Sequence, residues 1–295
     1  VKSLFLINTR SGTARKYDIA ALIRRACSGE EVAFDIAPCE RKEDLDRIID
    51  AAERGGVDVV YAVGGDGTVH EIAKRLVGRE VALGVLPIGS GNGFARHIGL
   101  PMDPAQSLRA CSKRTIAAID TAEVNGITFL GTMGVGLDAW IADRFAVAGT
   151  RGLATYVRVG VREILAYRAE EYEVEIDGAR SSVHAKLIAV ANTCQYGNDA
   201  KIAPCASVRD GVLDVVTIAD VSLLRAPWLT LQLFRGTIDR AKEVTSAQGK
   251  EIVIRRRSAG PVHLDGEPFT LAETLNVRVR PSSLKVLLPD VTGNI

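Results

Sequence analysis

Cysteine is scarce and follows no pairing pattern. The five residues, Cys27, Cys39, Cys111, Cys194 and Cys205, are odd in number and scattered, with no Cys-x-x-Cys. That argues against a disulfide framework or a zinc site and favours a reducing cytoplasm. Aromatic residues make up only 5% and do not interleave with basic ones, so stacking on single-stranded nucleic acid has no support. Charge of one sign is also lacking: 37 Lys and Arg against 36 Asp and Glu leave a net charge of +1, and no nucleic-acid partner is expected. No stretch approaches the ~18 uncharged apolar residues of a membrane span, so membrane contact is expected to be peripheral and transient. The opening apolar run reaches only Ile7, too short for a signal-peptide core. There is no internal repeat and no low-complexity segment.

What is present is an ordinary globular composition, 47% hydrophobic and 25% charged. A length of 295 residues suggests two domains. Over the first part, strand-like and helix-like segments alternate. Residues 2–8, 31–37, 58–63 and 81–88 read as strands, and 17–27, 41–54 and 68–77 as helices. This β-α order argues for a parallel sheet covered by helices. Beyond it, Asn125-Gly126 and Asp177-Gly178 are two-residue hairpin signals. Residues 139–168 read as helical. Strand-like runs recur at 116–124, 127–133, 171–176, 185–192, 213–219, 251–256, 262–264, 275–279 and 284–288. The boundary is expected near 120, giving an α/β domain over 1–120 and an antiparallel β domain over 121–295. A helix over 222–239, rich in Leu, Trp228 and Phe234, reads as a core helix, with a membrane-touching lid as the alternative. Arg255-Arg256-Arg257 reads as a solvated strand end, or as a contact for anionic head groups.

The most informative segment is the buried strand Asp58-Val59-Val60-Tyr61-Ala62-Val63 running into Gly64-Gly65-Asp66-Gly67-Thr68 and then a helix. Thr68 and Glu71 have capping-box spacing. Glycines between a strand end and a helix start let a phosphate approach free backbone N–H groups and the positive helix end. The plain alternative is a strand-to-helix turn, but three glycines in four positions exceed what a turn needs. This is no Walker A loop, because no Gly-Lys-Ser/Thr follows. A second glycine loop, Gly89-Ser90-Gly91-Asn92-Gly93, follows the next strand and does not fit the dinucleotide fingerprint. Two such loops at adjacent strand ends would line one cleft.

Together, Gly64-Gly65-Asp66-Gly67-Thr68 and Gly89-Ser90-Gly91-Asn92 resemble the diacylglycerol kinase and sphingosine kinase family of lipid kinases. Asn8-Thr9-Arg10-Ser11-Gly12, Ala203-Pro204-Cys205-Ala206 with Asp210-Gly211-Val212-Leu213-Asp214, and Leu264-Asp265-Gly266-Glu267-Pro268 extend the resemblance in order over most of the chain. It implies an α/β nucleotide-binding domain with a parallel sheet followed by an antiparallel β-sandwich-like domain, as in NAD kinases and diacylglycerol kinases. ATP would lie between them, and the acceptor would be a lipid alcohol; the alternatives are an NAD kinase-like enzyme, which shares Gly-Gly-Asp-Gly, and a catalytically silent nucleotide- or lipid-binding module. Nothing in the sequence indicates an oligomeric state.

Carried over residue by residue, the resemblance implies ATP contacts at Asn8, Thr9, Arg10, Ser11 and Gly12. It implies others at Gly64 and Gly65, through Asp66, Gly67, Thr68, Val69 and His70, to Glu71, and at Gly89, Ser90 and Asn92. Thr9 departs from the family's proline, and Cys39 stands where the family has a threonine contact. Asp265 or Glu267 would activate the acceptor hydroxyl, as proton removal accompanies attack on the γ-phosphoryl. Asp66 is a rival base or Mg²⁺ partner. For each there is a plain reading: a hairpin turn for Asp265-Gly266, a loop cap for Asp66. Asp210 with the carbonyls of Ser207 and Val212 would hold a structural Mg²⁺. Gly134-Val135-Gly136-Leu137-Asp138 resembles the head-group segment of sphingosine kinases, with Gly134 and Asp138 as acceptor contacts; Asp138 as a helix cap is the alternative. Arg151 reads as a phosphate clamp or a plain helix-surface residue.

Overall fold

The computed structural model describes residues 2–8, 18–27, 33–39, 41–111, 115–148, 167–222 and 224–289. They form two compact units, 1–121 with 281–295, and 122–280. The expected boundary near 120 therefore captures only the first crossing. The chain returns to the first unit for its last stretch.

In the first unit, β1 (Ser3–Ile7), α1 (Ile19–Cys27), β2 (Phe34–Pro38), α2 (Leu45–Arg54), β3 (Val59–Gly64), α3 (Asp66–Leu76) and β4 (Ala82–Pro87) alternate. Two short helices follow, α4 (Gly93–His97) and α5 (Pro104–Ala110). The strands pair in parallel in the order β2-β1-β3-β4. Every residue of β3 and β4 is buried, as expected of strands covered on both faces. Leu45, Ile49 and Ala52 give α2 a buried stripe at helical spacing. β1 pairs β2 on one side and β3 on the other, so successive connections diverge there. In open α/β sheets, ligands bind outside the carboxyl ends of strands at such a switch point.

In the second unit, β5 (Thr115–Val124) enters from the first and is followed by β6 (Ile127–Phe129) and β7 (Thr132–Gly136). Then come α6 (Leu137–Ala148), β8 (Glu170–Ile176), β9 (Ala179–Ala185), β10 (Leu187–Ala191) and β11 (Leu213–Ile218). Helix α7 (Ala226–Arg235) precedes β12 (Val244–Gly249), β13 (Glu251–Arg255), β14 (Gly260–Leu264), β15 (Glu267–Leu271) and β16 (Thr274–Leu288). One sheet runs β12-β11-β10-β7-β14-β15. Strand β10 shows why it is buried on both faces: Ile188 and Val190 point into one apolar cluster and Leu187, Ala189 and Ala191 into another. The Asn-Gly and Asp-Gly signals are realised, with positive φ at Asn125, Gly126, Asp177 and Gly178.

Several boundaries differ from the sequence expectation. Helix α3 starts at Asp66 with Gly65 as its cap, so Thr68 lies inside the helix and the capping box does not form. The strands expected at 275–279 and 284–288 are one strand, β16. It pairs antiparallel with β13 early and parallel with β4 late. At the change, Pro281 offers no N–H, and Ser282, at φ 49°, donates its own to Asp120 at 2.7 Å. Helix α7 contains no buried residue, so it is not the expected core helix. Arg256 is not a solvated strand end either. Its guanidinium donates to the carbonyls of Gly260, Pro261 and Leu271, each at 2.8 Å, and staples the β14–β15 hairpin.

Candidate active site

In the first unit the two glycine loops meet backbone to backbone. A Cβ on Gly89 would lie 2.5 Å from the Gly65 Cα, and one on Gly64 would lie 2.4 Å from the Thr68 side chain. These glycines are therefore required for packing. Asp66 fastens the contact. One of its oxygens accepts the Asn92 N–H and the other the Gly93 N–H, both at 2.7 Å. Asn92 sits in the left-handed region at φ 52° and closes on its own loop. Its Nδ2 donates to the Gly89 carbonyl at 2.9 Å, and its Oδ1 accepts the Gly89 N–H at 3.2 Å. The side chain of Asn92 thus shapes the loop, and the exposed Ser90 is its outward residue.

At the switch point, Asn8 follows β1 and donates from Nδ2 to Thr68 Oγ1 at 2.8 Å. Thr9, Arg10, Ser11 and Gly12 lie outside the described residues, as does Arg151. Asn8, Gly65, Asp66, Gly67 and Thr68 are thereby gathered at the start of α3, where the Thr68 and Val69 N–H groups close on the Gly65 carbonyl at 2.9 and 3.1 Å. This is the geometry of an anion site, with the partial positive charge of the helix behind it. Val69 and His70 are buried one turn further in.

Glu71 does something the sequence reading did not foresee. Its carboxylate accepts from Lys42 Nζ at 2.9 Å, Lys74 Nζ at 2.8 Å and Arg75 Nη1 at 2.7 Å. Burial pushes this carboxyl up, but the hydrogen bonds from Lys74, Arg75 and Lys42 outweigh it and hold the group at about 2. Lys74 and Arg75 lie three and four residues on, a spacing readable in the sequence. Lys42 arrives from 29 residues away and is not. Cys39 stands in the same cluster just after β2. Burial pushes its thiol up, with Arg75 opposing and Glu71 adding to the shift.

In the second unit, Asp265 and Gly266 both have positive φ and form the tight turn of the β14–β15 hairpin. The Asp265 carboxylate does not stop there. Its Oδ2 accepts the Leu130 N–H at 2.8 Å, and its Oδ1 accepts those of Gly131 at 2.7 Å and Thr132 at 2.9 Å. It therefore anchors the β6–β7 turn. Glu267 opens β15, opposite Leu264, and is half-buried.

Asp138 lies in the first turn of α6, where the helix dipole favours an acid. Its Oδ1 accepts the Ala139 N–H at 2.8 Å. Its Oδ2 accepts Tyr196 Oη at 3.1 Å and pairs with His263 Nε2 at 2.9 Å. Gly134 makes room for this: a Cβ there would lie 1.9 Å from Asp138 Oδ2 and 2.6 Å from His263 Nε2. His263 is buried, and its Nδ1 has no hydrogen-bond partner among the described residues. Tyr196 and His263 were missed in the sequence, where only the adjacency of His263 to Asp265 hinted at a role.

At the Asp-Gly turn before β11, the exposed Asp210 accepts the Val212 N–H at 3.1 Å, and Ser207 Oγ accepts the Arg209 N–H at 3.3 Å. Burial raises the Asp214 carboxyl; Gln248 opposes the rise and the nearby Asp210 adds to it. Asp210 and the carbonyls of Ser207 and Val212 are oxygen donors only, the ligand chemistry a hard cation such as Mg²⁺ takes. Among the described residues no group of three or more His, Cys, Asp or Glu side chains converges on a metal-sized site.

Comparison with known sequences and structures adds to this geometry. A sequence-family model described as the diacylglycerol kinase catalytic domain matches residues 2–124. A second, described as the YegS C-terminal NAD kinase beta sandwich-like domain, matches 131–288. The chain is 28% identical over 292 residues to a Klebsiella pneumoniae (strain 342) protein named "Probable lipid kinase YegS-like", covering 97% of this chain and 96% of that one. It is 26% identical over 294 residues to the Salmonella arizonae protein named "Probable lipid kinase YegS", with the same coverage. A crystal structure of a diacylglycerol kinase from Bacillus anthracis str. Sterne superposes with a TM-score of 0.72 at 18% identity, over 98% of this chain and 97% of that one. That likeness is one of fold.

Proposed function

This chain belongs to the diacylglycerol kinase-type family of lipid kinases, and we propose that it transfers the γ-phosphoryl group of ATP to a hydroxyl of a lipid alcohol, of the diacylglycerol or sphingoid-base type. The observation that carries the nucleotide half of this reading is the pinned pair of glycine loops, Gly65 against Gly89 with Asp66 holding both Asn92 and Gly93. Backbone N–H groups at the start of α3, with Asn8 and Thr68 beside them, suit the phosphates. Ser90 suits the outer end of the nucleotide.

In the reaction a bond forms between the acceptor oxygen and the γ-phosphorus while the bond from that phosphorus to the β-γ bridging oxygen breaks. ADP leaves, and the hydroxyl proton passes to a carboxylate. We assign that carboxylate to Glu267, which opens β15 directly after the Asp265-Gly266 turn; Asp265 holds three backbone N–H groups and Asp66 two. Those two aspartates then position the machinery. Asp210 with the carbonyls of Ser207 and Val212 would hold Mg²⁺ through oxygen alone. The ion would offset the repulsion between Asp210 and Asp214 and fix that turn. Gly134 and Asp138 border the proposed acceptor path, with Asp138 held in orientation by His263 and Tyr196. The enzyme would work in the cytoplasm and visit the membrane surface for its substrate.

The test is a panel of acceptors in mixed micelles, diacylglycerol, sphingosine and monoacylglycerol, with NAD alongside, each given ATP labelled at the γ position. Label in one or more lipids supports the reading. Label in NAD with no lipid accepted overturns it.

A further inference from the structure

Helix α7 is apolar on two sides. Ala226, Leu229 and Leu233 pack against the buried cluster on one face of the β12-β11-β10-β7-β14-β15 sheet. Trp228, Leu231 and Phe234 point away from it and are 42%, 45% and 44% exposed, and Leu224, just before the helix, is 92% exposed. These four account for all but one of the large apolar side chains exposed among the described residues; the other, Ile116, belongs to the first unit. Three-residue steps from Trp228 to Phe234 spread over an arc of roughly 120° at 3.6 residues per turn, so they form a single ridge. An exposed apolar concentration of this kind marks an interaction surface.

Area and charge decide among occupants. Taking about 150–250 Å² for a large side chain, the ridge offers roughly 400 Å². A stable dimer needs about 800 Å² from each copy. A bilayer sets no such threshold, because each inserted side chain contributes separately. The helix sequence APWLTLQLFR holds no carboxylate, and Arg225 and Arg235 stand at its two ends. Residues 224–243 contain four cations, Arg225, Arg235, Arg240 and Lys242, against Asp239 and Glu243. Arg225 is bound to Glu243 at 2.8 Å and lies 4.4 Å over the Trp228 ring, which leaves Arg235 as the exposed cation of the ridge. Apolar bulk with a tryptophan and the exposed Arg235, and no acid within the helix, complements an anionic lipid surface.

We propose that α7 and Leu224 are the element by which this chain docks on an anionic bilayer, with Leu224, Trp228, Leu231 and Phe234 entering the interface and Arg235 meeting the head groups. The inference deepens the lipid-acceptor reading and rests on it, since that acceptor resides in a bilayer. The experiment uses the full chain and vesicles of phosphatidylcholine, with or without about 30% phosphatidylglycerol, a proportion that gives a cell-like anionic surface. No ATP and no acceptor are added, so docking is read apart from catalysis. Trp140→Phe leaves Trp228 as the only indole of the two in the chain. Its emission should shift to the blue with anionic vesicles. Leu231→Ser combined with Phe234→Ser should weaken co-sedimentation about tenfold, because partitioning scales with apolar area. Arg235→Glu should weaken it roughly fivefold or more on anionic vesicles only.

Turnover of a water-soluble short-chain acceptor by the double variant at the wild-type rate would show that the fold is intact and the loss is one of docking. Docking without kinase activity on any acceptor would leave this inference standing and remove the kinase reading. Three results would overturn the inference: wild type that ignores both kinds of vesicle, a double variant that sediments as wild type does, or a Trp228 emission that does not move. A concentration-dependent dimer lost in the double variant, with no vesicle binding, would give the ridge to a second copy and also overturn it.

Discussion

Asp66→Ala separates the two roles open to that carboxylate. In the structure its oxygens accept the N–H groups of Asn92 and Gly93, both at 2.7 Å, and so tie one glycine loop to the other. A hydrogen bond to a charged group contributes about 1.5–3 kcal/mol, and removal leaves two N–H groups to find water. Asp66 is only half-buried, so water recovers part of that, and about 3 kcal/mol is the expected loss. For a unit of this size that lowers Tm by roughly 6–12 °C. The Gly65–Gly89 contact should loosen with it, raising the KM for ATP by about tenfold or more, as expected when positioning of the nucleotide is lost. Asp66→Asn keeps one acceptor and turns an amide N–H toward the other donor, so it should show about half the Tm loss. The assays are thermal unfolding by circular dichroism and steady-state kinetics on both variants. Asp66→Asn with wild-type Tm and wild-type KM for ATP, but kcat lowered a thousandfold, would refute the clamp and make Asp66 the base.

Glu267→Gln should lower kcat by about 10²–10⁴ with ATP affinity unchanged by calorimetry, whereas Asp265→Asn should act first on Tm, because its amide NH2 replaces one of the two oxygens that accept from Leu130 and from Gly131 and Thr132. Equal kinetic losses with no stability difference would reverse that assignment. Gly89→Ala drives a methyl to 2.5 Å from the Gly65 Cα and should cost more ATP affinity than Gly126→Ala, where nothing lies within 4 Å. Glu71, held at about 2 in the folded chain, contributes stability that is full above the ordinary carboxylate value near 4.5 and is lost as pH falls through about 2. Discounted for the exposure of Lys42 and Lys74, this is about 1–2 kcal/mol. Urea unfolding at pH 7, 4 and 3 should therefore show a steeper acid loss in wild type than in Glu71→Gln, and parallel curves would contradict the assigned pairing.

Much of the first unit was legible in the sequence because its signals are local. Buried parallel strands read as continuous apolar runs, and β3 and β4 lie within a residue or two of where those runs put them. The hairpins were legible because Asn-Gly and Asp-Gly set φ by themselves. The helix start was displaced because a glycine took the cap that Thr68 seemed to offer, and Thr68 instead meets Asn8 across 60 residues. Asp66, Asp138 and Asp265 stood out as chemically interesting, but their partners did not. Backbone N–H groups at 92 and 93, or at 130 to 132, carry no residue signature; His263 reaches Asp138 through sheet register, and Tyr196 reaches it from the loop after β10. The exposure of α7 was hidden for another reason. A helix apolar on both sides looks like core until its surroundings are known.

The central claim is most directly tested by the transfer of label from γ-labelled ATP into chloroform-extractable lipid, with wild type, Gly67→Asp and Glu267→Gln assayed together on a lipid alcohol in mixed micelles. Gly67 lies in the opening turn of α3, where an added carboxylate would occupy the proposed phosphate position and repel a phosphate. The account predicts labelled lipid from wild type, none from a folded Gly67→Asp, and a rate lowered by about 10²–10⁴ from Glu267→Gln. Labelled lipid formed equally by all three, or label found only in NAD, would contradict it.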